Sequence, residues 1–308
     1  MSLVGTQHDI LPGFDGATGW LNSEPLTPEG LRGKVVLVDF WTYTCINWLR
    51  TLGHVRGWWE KYADQGLVIV GVHTPEFPFE HEVDNVRWAA KDMRVEYPIA
   101  LDPDYAVWRA FANHYWPAVY IADAQGRLRH HHFGEGGYEE CERVVQRLLG
   151  IANGLVSVAD DGFEAQADWA NLQSPETYLG YEQAQNFVDA DREDLRLNQW
   201  ALSGDWTVEA GKSVLNRADG EIAFRFHARD VNLVMGPPPR GEPVPFRVLV
   251  DGEPPGDAHG LDIDADGRGT LAQQRLYQLI REPGAITERT FEITFEAPGA
   301  EAYCFTFG

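Results

Sequence analysis

The chain has 308 residues, more than a single hydrophobic core usually serves, and this length predicts two domains. Its formal net charge of −22 argues against electrostatic binding to nucleic acid or to an anionic membrane, because both attract basic surfaces. Its longest apolar runs have the length of strands, and no basic flank followed by an apolar segment opens the sequence. The sequence as given therefore predicts neither a membrane span nor an export signal.

Three cysteines, Cys45, Cys141 and Cys304, are widely spaced and odd in number. This pattern does not suggest a disulfide framework, and it favours a reducing, cytoplasmic compartment. A signal or membrane region preceding residue 1 would instead make an extracytoplasmic location the expected one.

The first half of the chain alternates strand-like and helical segments, which indicates an α/β layer around a mostly parallel sheet. Residues 34–40 are apolar and β-branched, as in a strand covered on both faces. Residues 46–64 carry apolar side chains at helical spacing, and Gly66 can end that helix in the left-handed conformation. The later predicted elements are strand 67–72, helix 80–93, strand 97–101, helix 105–113, strands 117–122 and 128–133, and helix 138–149.

The pattern changes in the second half of the chain. Residues 159–168 are polar and acidic and predict a linker. Short alternating strands then follow, separated by Gly, Pro and Asp-Gly turns, and they predict an all-β sandwich of the jelly-roll, carbohydrate-binding-module-like kind. The predicted strands are 221–227, 231–235, 245–250, 276–280, 291–295 and 303–307. We predict two domains, residues 1–158 and residues 159–308.

The stretch Cys45-Ile46-Asn47-Trp48 carries the clearest chemical signal. It follows a predicted buried strand, and it places a sulfur where the unpaired amides and dipole of a helix N-terminus favour a thiolate. Five further motifs accompany it: Val38-Asp39-Phe40-Trp41, Gly71-Val72-His73-Thr74-Pro75-Glu76-Phe77, Tyr115-Trp116-Pro117-Ala118, Gly134-Glu135-Gly136-Gly137-Tyr138 and Ser174-Pro175-Glu176-Thr177-Tyr178. With these motifs, the chain resembles thioredoxin-like redoxins of the TlpA and AhpC/TSA type and the C-terminal region of DipZ proteins, with a redoxin domain followed by a sandwich.

The resemblance implies an α/β thioredoxin-like domain of three layers and assigns three site residues. Cys45 matches the nucleophile. Asp39 matches the buried carboxylate that exchanges protons with the active site, although a satisfied polar residue at a strand end is an equal alternative. Pro117 matches the cis-proline that lies against the sulfur and offers backbone groups to an extended substrate.

Two positions depart from the family pattern. Trp48 replaces the second thiol, so no disulfide can form within a Cys-x-x-Cys motif. Trp48 is expected either to offer a stacking surface beside the sulfur or to fill the first helical turn against Trp116. Gly53 stands in place of the helix-kinking proline. Arg50 is expected to be a solvated helix residue, with stabilisation of a thiolate as the alternative.

Three functions remain open for one reactive sulfur. The favoured one is thiol-disulfide exchange on a disulfide-containing protein, resolved by an external thiol such as glutathione or a thioredoxin. The second is a single-cysteine peroxidase acting on a peroxide. Thr42 provides the Thr-x-x-Cys of that class, but Val38 takes the place of its proline. The third is a catalytically silent binding module with a ligand- or carbohydrate-binding sandwich. No cofactor is expected.

Weaker candidates lie elsewhere in the sequence. Glu76 and Glu135 could either shuttle protons to the sulfur or cap loops. Asp262, Asp264 and Asp266 match the start of a calcium loop, but its twelfth position lacks the required glutamate, so a solvated acidic turn is the favoured interpretation. Aromatic residues of the second half could form a sugar-stacking platform, although such residues more often build the core. They are Tyr178, Tyr181, Trp200 and Trp206.

Overall fold

The structure is a computed structural model that describes residues 10–159, 162–238 and 241–308. It divides into two units between Ala165 and Gln166. The predicted domain boundary lies between residues 158 and 159. Glu164, beyond that point, still forms an ion pair with Arg56 of the first unit at 2.5 Å. No helix within these described ranges is both long enough and apolar enough to cross a membrane.

The first unit contains a six-stranded sheet with the order β1-β4-β3-β2-β5-β6. Its strands are β1 Gly19–Leu21, β2 Val35–Trp41, β3 Leu67–His73, β4 Ile99–Leu101, β5 Ala118–Ala122 and β6 Leu128–Phe133. The pairs β2/β3 and β3/β4 are parallel, and the other neighbours are antiparallel. All seven residues of β2 are buried, as its apolar and β-branched sequence predicts.

Four α-helices connect these strands. They are α1 Ile46–Tyr62, α2 Val83–Asp92, α3 Ala106–Ala110 and α4 Tyr138–Leu149. Gly66 adopts the predicted left-handed conformation (φ 104°) shortly after α1. The helix predicted from residue 80 instead begins at Val83, because Pro78–His81 form a separate 3₁₀ turn. The α/β arrangement expected of a thioredoxin-like domain is confirmed.

The segment after α4 packs along α1, and two glycines of α1 make room for it. A Cβ atom at Gly53 would lie 2.5 Å from Val158 Cγ1, and one at Gly57 would lie 2.4 Å from Val156 Cγ1. Both distances are shorter than any ordinary carbon contact, so either substitution would displace the segment. Gly53, where the family pattern has a proline, is therefore a packing position.

Glu142 of α4 anchors the same segment. Its two carboxylate oxygens accept the backbone N–H of Val156, each at 2.9 Å. The indole of Trp58 and the hydroxyl of Tyr62, both on α1, donate to the same carboxylate at 3.1 Å and 2.5 Å. One buried carboxylate thus ties together α1, α4 and the chain that follows α4.

The second unit is an all-β sandwich, which confirms the predicted class. One sheet has the order β15-β12-β17-β10-β9 with β7 beside β17, and the other has the order β14-β13-β16-β11-β8. Aromatic and aliphatic side chains from both sheets form its core. Its strands are β7 Thr177–Tyr178, β8 Trp200–Ser203, β9 Trp206–Val208, β10 Ser213–Leu215, β11 Gly220–Phe226, β12 Asp230–Gly236, β13 Val244–Val250, β14 Arg268–Leu271, β15 Arg275–Arg281, β16 Arg289–Phe295 and β17 Glu301–Phe307.

The four aromatic residues considered for a sugar platform do not share an exposed face. Trp200 is buried in the core, and Trp206 packs edge-on against Phe295. Tyr178 lies in the short strand β7, and Tyr181 is the strongly exposed member of the set. The aromatic density therefore serves mainly to build the core.

The acidic turn proposed as a calcium loop is occupied by internal contacts. Asp262 accepts hydrogen bonds from Arg275 at 2.6 Å and from the backbone of Gln278 at 2.7 Å. Asp264 caps the backbone N–H of Arg268 at 2.8 Å. Because both oxygens of Asp262 are bonded within the fold, the first position of the loop pattern is not available as a calcium ligand.

We expect Gly57→Ala to lower the free energy of unfolding by about 1 to 3 kcal/mol, because the new methyl group would overlap Val156. Alanine in a helix without this contact would instead stabilise by about 1 kcal/mol. Chemical denaturation of the full chain, followed by circular dichroism, measures the change.

The matched control is Gly57→Ala combined with Val156→Ala, which removes the methyl group that is struck. The double variant should recover part of the loss relative to the sum of the two single variants. Stabilisation by Gly57→Ala alone would contradict the proposed packing.

Candidate active site

Cys45 is the N-cap residue of α1 and directly follows the loop that leaves β2. Its backbone is extended (φ −74°, ψ 110°), and its carbonyl accepts the N–H of Leu49 at 3.0 Å. The side chain is partly exposed. The first N–H groups of a helix lack partners within the helix and point towards its N-cap, so this position favours a negative charge on sulfur.

The peptide bond between Trp116 and Pro117 is cis. β5 starts at the next residue and runs antiparallel to β2, with Ala118 opposite Phe40. Because the Cys45 loop leaves β2 just beyond Phe40, this loop and Pro117 lie at the same edge of the sheet.

The backbone around the cis bond is only partly used by the fold. The carbonyl of Pro117 accepts the N–H of Gly134 at 2.9 Å. The peptide N–H and C=O of Trp116 make no hydrogen bond within the described part of the chain. The fold therefore leaves these two groups unused among the described residues, and the role of Pro117 as a substrate clamp stays a prediction.

Asp39 is fully buried on β2. Its Oδ2 atom accepts hydrogen bonds from the indole N–H of Trp48 at 3.0 Å and from the hydroxyl of Tyr97 at 3.3 Å. Its Oδ1 atom has no hydrogen-bond partner among the residues that the structure describes. Burial raises the pKa of Asp39 to about 7, against the opposing effect of the two hydrogen bonds. This carboxyl can therefore gain or lose a proton near neutral pH.

Trp48 occupies the core and presents no face to a substrate. It is fully buried and stacks on Trp41, with ring centroids 4.4 Å apart and an interplanar angle of 25°. The predicted contact with Trp116 is wrong, since Trp116 packs on Trp108 with centroids 4.4 Å apart. Where the family motif has a second thiol, this chain has an indole that binds the buried carboxyl.

Gly71 makes room for this arrangement. It pairs with Asp39 across β2 and β3, and a Cβ atom there would lie 2.8 Å from Trp41 Nε1 and 2.9 Å from Tyr97 Cε2. His73, two residues further along β3, packs edge-on against Trp41. Burial lowers the pKa of His73 to about 3, so its imidazole is neutral. The sulfur-bearing loop is thus supported by a dense aromatic layer.

Glu80 is a buried residue of this region that sequence reasoning missed. One carboxylate oxygen accepts the hydroxyl of Thr44 at 2.7 Å, and the other accepts the backbone N–H groups of Glu76 and Phe77 at 2.6 and 2.9 Å. Burial raises the pKa of Glu80. It joins the residue before Cys45 to the loop after β3. A proline at the first position of a helical turn with glutamate two residues later was the available signal.

Arg50 is buried rather than solvated, so the sequence expectation for it is wrong. Its guanidinium forms an ion pair with Glu135 at 3.2 Å, and both side chains are largely shielded from water. It also contacts Asn47 Oδ1 at 3.4 Å. The pair attaches the loop after β6 to α1. Because the Glu135 carboxylate is paired with Arg50, its predicted role in proton transfer would have to operate from within this ion pair. Proton transfer by Glu135 or by Glu76 stays a prediction.

The remaining sulfur atoms and Thr42 are less accessible. Cys141 is buried on α4, with its sulfur 3.6 Å from His130 Nε2, and burial raises its pKa to about 12. Cys304 is buried in β17. Thr42 is also fully buried, so the hydroxyl of the Thr-x-x-Cys pattern is not presented to solvent. Within the described ranges, no group of three or more His, Cys, Asp or Glu residues could hold a metal ion.

Comparison with known proteins identifies related sequences in both units. Residues 9–131 match the AhpC/TSA family model, and residues 174–308 match the model described as a thioredoxin-like C-terminal domain. The chain is 39% identical over 241 residues to the protein DipZ of Mycobacterium tuberculosis, which covers 73% of this chain and 35% of DipZ. The chain thus spans about a third of the length of that relative.

A shorter relative is matched over nearly its whole length. The thiol-disulfide oxidoreductase YkuV of Bacillus subtilis is 32% identical over 139 residues, which cover 45% of this chain and 93% of YkuV. A solution structure of a thioredoxin-like protein in the oxidized form is 33% identical over 46% of this chain and 96% of its own, with a TM-score of 0.43. On the matches to YkuV and to the two family models, the chain belongs to the thioredoxin-like redoxins of the AhpC/TSA type.

Proposed function

We propose that this chain is a thiol-disulfide oxidoreductase that works through Cys45 alone. The observation that carries the proposal is the contrast between the two ends of the Cys45–Trp48 stretch. Cys45 is a partly exposed N-cap residue and lies at the same edge of the sheet as cis-Pro117, whereas Trp48 is fully buried and hydrogen-bonded to Asp39. The name of the relative YkuV agrees with this activity.

The first step is attack of the Cys45 thiolate on one sulfur of a substrate disulfide. A bond forms between Cys45 Sγ and that sulfur while the substrate S–S bond breaks. The second substrate sulfur leaves as a thiolate and takes up a proton. Cys45 is thereby oxidised to a mixed disulfide, and the released substrate sulfur is reduced.

The second step needs a thiol from outside the chain, because position 48 supplies none. An external thiolate such as that of glutathione or a thioredoxin attacks Cys45 Sγ and releases the bound substrate as a thiol. Cys45 is then joined to the external sulfur. A second external thiol removes that sulfur, so two external thiols are oxidised for each substrate disulfide reduced.

Asp39 would act behind the sulfur rather than on the substrate. Its carboxyl is fully buried, and its pKa of about 7 lets it store a proton at the pH at which thiols exchange. Trp48, which donates a hydrogen bond to Asp39, lies in the first turn of α1, and Cys45 is the N-cap residue of that turn. We therefore assign Asp39 a positioning and proton-storing role.

Reaction with one equivalent of 2,2′-dithiodipyridine should release one equivalent of pyridinethione from Cys45 and then stop, with the second pyridyl sulfur retained on Cys45. The reason is that no neighbouring thiol can resolve the mixed disulfide. Absorbance of the released thione measures the stoichiometry in a background in which Cys141 and Cys304 are replaced by serine. Addition of glutathione should restart the release.

Two matched variants bracket this experiment. Cys45→Ser should release nothing, and Trp48→Cys should release two equivalents because the new thiol resolves the first adduct. Circular dichroism confirms that Trp48→Cys remains folded, since loss of a buried indole costs about 3 to 5 kcal/mol. Continued release by the parent variant without added thiol would refute external resolution, as would a Cys45–Cys304 or Cys45–Cys141 disulfide in peptide mapping of the natural chain.

Asp39→Asn should remove part of the pH dependence of stability. The folded chain keeps a proton on Asp39 up to about pH 7, whereas the unfolded chain releases it near the ordinary value of 3.8. The natural chain therefore loses stability from this group as the pH rises between these values, by up to ~1.4 kcal/mol per pH unit. The free energy of unfolding of Asp39→Asn, relative to the natural chain, should rise between about pH 5 and about pH 7.

Trp48→Phe provides the opposite control. It retains an aromatic ring against Trp41 but removes the N–H donor that lowers the pKa of Asp39. The window in which stability falls should therefore extend to higher pH in this variant. If the free energy of unfolding instead varies with pH in the same way in the natural chain, Asp39→Asn and Trp48→Phe, then Asp39 does not titrate near neutrality and the prediction is wrong.

A further inference from the structure

A cysteine and a histidine face each other between α4 and β6 of the first unit. Cys141 lies on the buried side of α4, together with Val144 and Val145. The side chains of β6 alternate between partly buried and exposed positions, and His130 takes a partly buried one. Cys141 Sγ and His130 Nε2 are 3.6 Å apart. The pair thus connects the helix to the strand.

The two side chains have each other as their hydrogen-bond partner. Within residues 10–159, 162–238 and 241–308, neither makes a second side-chain hydrogen bond or an ion pair. Cys141 is 1% exposed, whereas His130 is partly exposed. β6 stands at the end of the strand order in its sheet. A small ion can therefore reach the sulfur from the side of the imidazole.

The neighbouring histidines are used differently. His132 shares the partly buried face of β6, but its ring N–H donates to the Glu135 carbonyl at 3.3 Å. His131 is exposed on the other face and packs on Phe133, with ring centroids 4.9 Å apart. Among the described residues, no third His, Cys, Asp or Glu joins the pair to form a larger metal-binding group. This place therefore offers two ligands, one sulfur and one nitrogen.

The separation of the two atoms suits a shared metal ion. Bonds of about 2.3 Å to sulfur and about 2.0 Å to nitrogen place the two donors about 3.5 Å apart at a tetrahedral angle and about 4.3 Å apart in a straight line. The observed 3.6 Å lies within this range, so both atoms can bind one ion after small side-chain rotations.

The number and type of the ligands favour copper(I) over zinc(II). A structural zinc site takes four protein ligands, and the described residues supply two here. Copper(I) prefers soft thiolate ligands, accepts imidazole, and is stable with two or three donors.

The charge of the pair favours a monovalent ion as well. Burial raises the pKa of Cys141 to about 12 and lowers the pKa of His130, so both groups are neutral without a metal. A monovalent ion that replaces the thiol proton keeps the pair neutral, whereas a divalent ion would leave a positive charge in a buried place. The charges of Glu140 and Arg147 also act on His130, but both residues are exposed and opposite in sign.

We propose that Cys141 Sγ and His130 Nε2 form a binding site for one copper(I) ion. On binding, the S–H bond of Cys141 breaks, copper forms one bond to sulfur and one to nitrogen, and the proton passes to water. Copper stays in its +1 state, so the step needs no oxidant or reductant. The site does not involve Cys45 and goes beyond the proposed oxidoreductase function.

Copper(I) itself is the probe in the test. The parent protein is the untagged full chain with Cys45→Ser and Cys304→Ser, which keeps Cys141 as its one thiol. It is titrated without oxygen, in the presence of ascorbate, against the coloured copper(I) complex of bicinchoninic acid. The parent should withdraw one equivalent of copper(I), measured as loss of absorbance. No withdrawal would overturn the site.

Two glutamine substitutions on the same strand form the matched comparison. His130→Gln should weaken copper(I) binding about tenfold or more, because it removes the nitrogen ligand. His131→Gln should leave the affinity unchanged, because its side chain lies on the other face. Cys141→Ser should abolish binding, and circular dichroism checks that each variant is folded. Equal affinities of His130→Gln and His131→Gln would overturn the site.

X-ray absorption at the copper edge tests the ligands without any substitution at the site. The parent with one equivalent of copper(I) should show sulfur and imidazole nitrogen as neighbours of the metal. A spectrum that lacks either neighbour would overturn the pair as the site. Excess zinc(II) should not reduce the amount of copper(I) withdrawn, and displacement of copper(I) by zinc(II) would overturn the assignment of the ion.

Discussion

The hydrogen bond from the Trp48 indole to the buried carboxyl of Asp39 determines which chemistry the sheet edge can support. A buried carboxyl that lacks partners is costly, and this donor supplies one of the two side-chain hydrogen bonds that the described residues make to it. The same indole fills the position from which a second thiol would act. One side chain therefore stabilises the core and leaves position 48 without a thiol, and the proposed function accordingly takes the resolving thiol from outside the chain.

The layers around this bond also connect distant parts of the first unit. Glu80 accepts a hydrogen bond from the hydroxyl of Thr44, and the ion pair of Arg50 with Glu135 joins α1 to the loop after β6. Each of these buried charged groups bonds across two loops or elements of the fold. The loops next to Cys45 are thus held by the buried side chains of Glu80 and Arg50. Such an edge suits a reaction in which the sulfur must meet an extended chain in one orientation.

The sequence alone predicted those helices and strands whose hydrophobic pattern was long and uniform. The buried run of β2, the amphipathic α1 and α4 and the seven-residue strands of the sandwich follow from periodicity, and the two-unit architecture follows from their order. Strands β1, β7, β8, β9, β10 and β14 escaped prediction because segments of two to four residues are too short to display a clear alternating pattern. The candidate nucleophile Cys45, the buried carboxyl of Asp39 and the cis-proline position came from the resemblance to the redoxins. The burial of Arg50 and the contacts of Glu80 could not be read in advance, because a charged residue on a helix or turn is usually solvated unless a distant partner meets it.

The close packing of Trp41 and Tyr97 over Gly71 has a consequence for how this site can change over generations. A chain with cysteine at position 48 would lose the ring on which Trp41 stacks and would leave Asp39 with fewer donors. A larger side chain at position 71 could not compensate, because a Cβ atom there would already lie 2.8 Å from Trp41 Nε1 and 2.9 Å from Tyr97 Cε2. A second thiol at position 48 would therefore come at a cost in stability, which opposes its appearance by a single substitution.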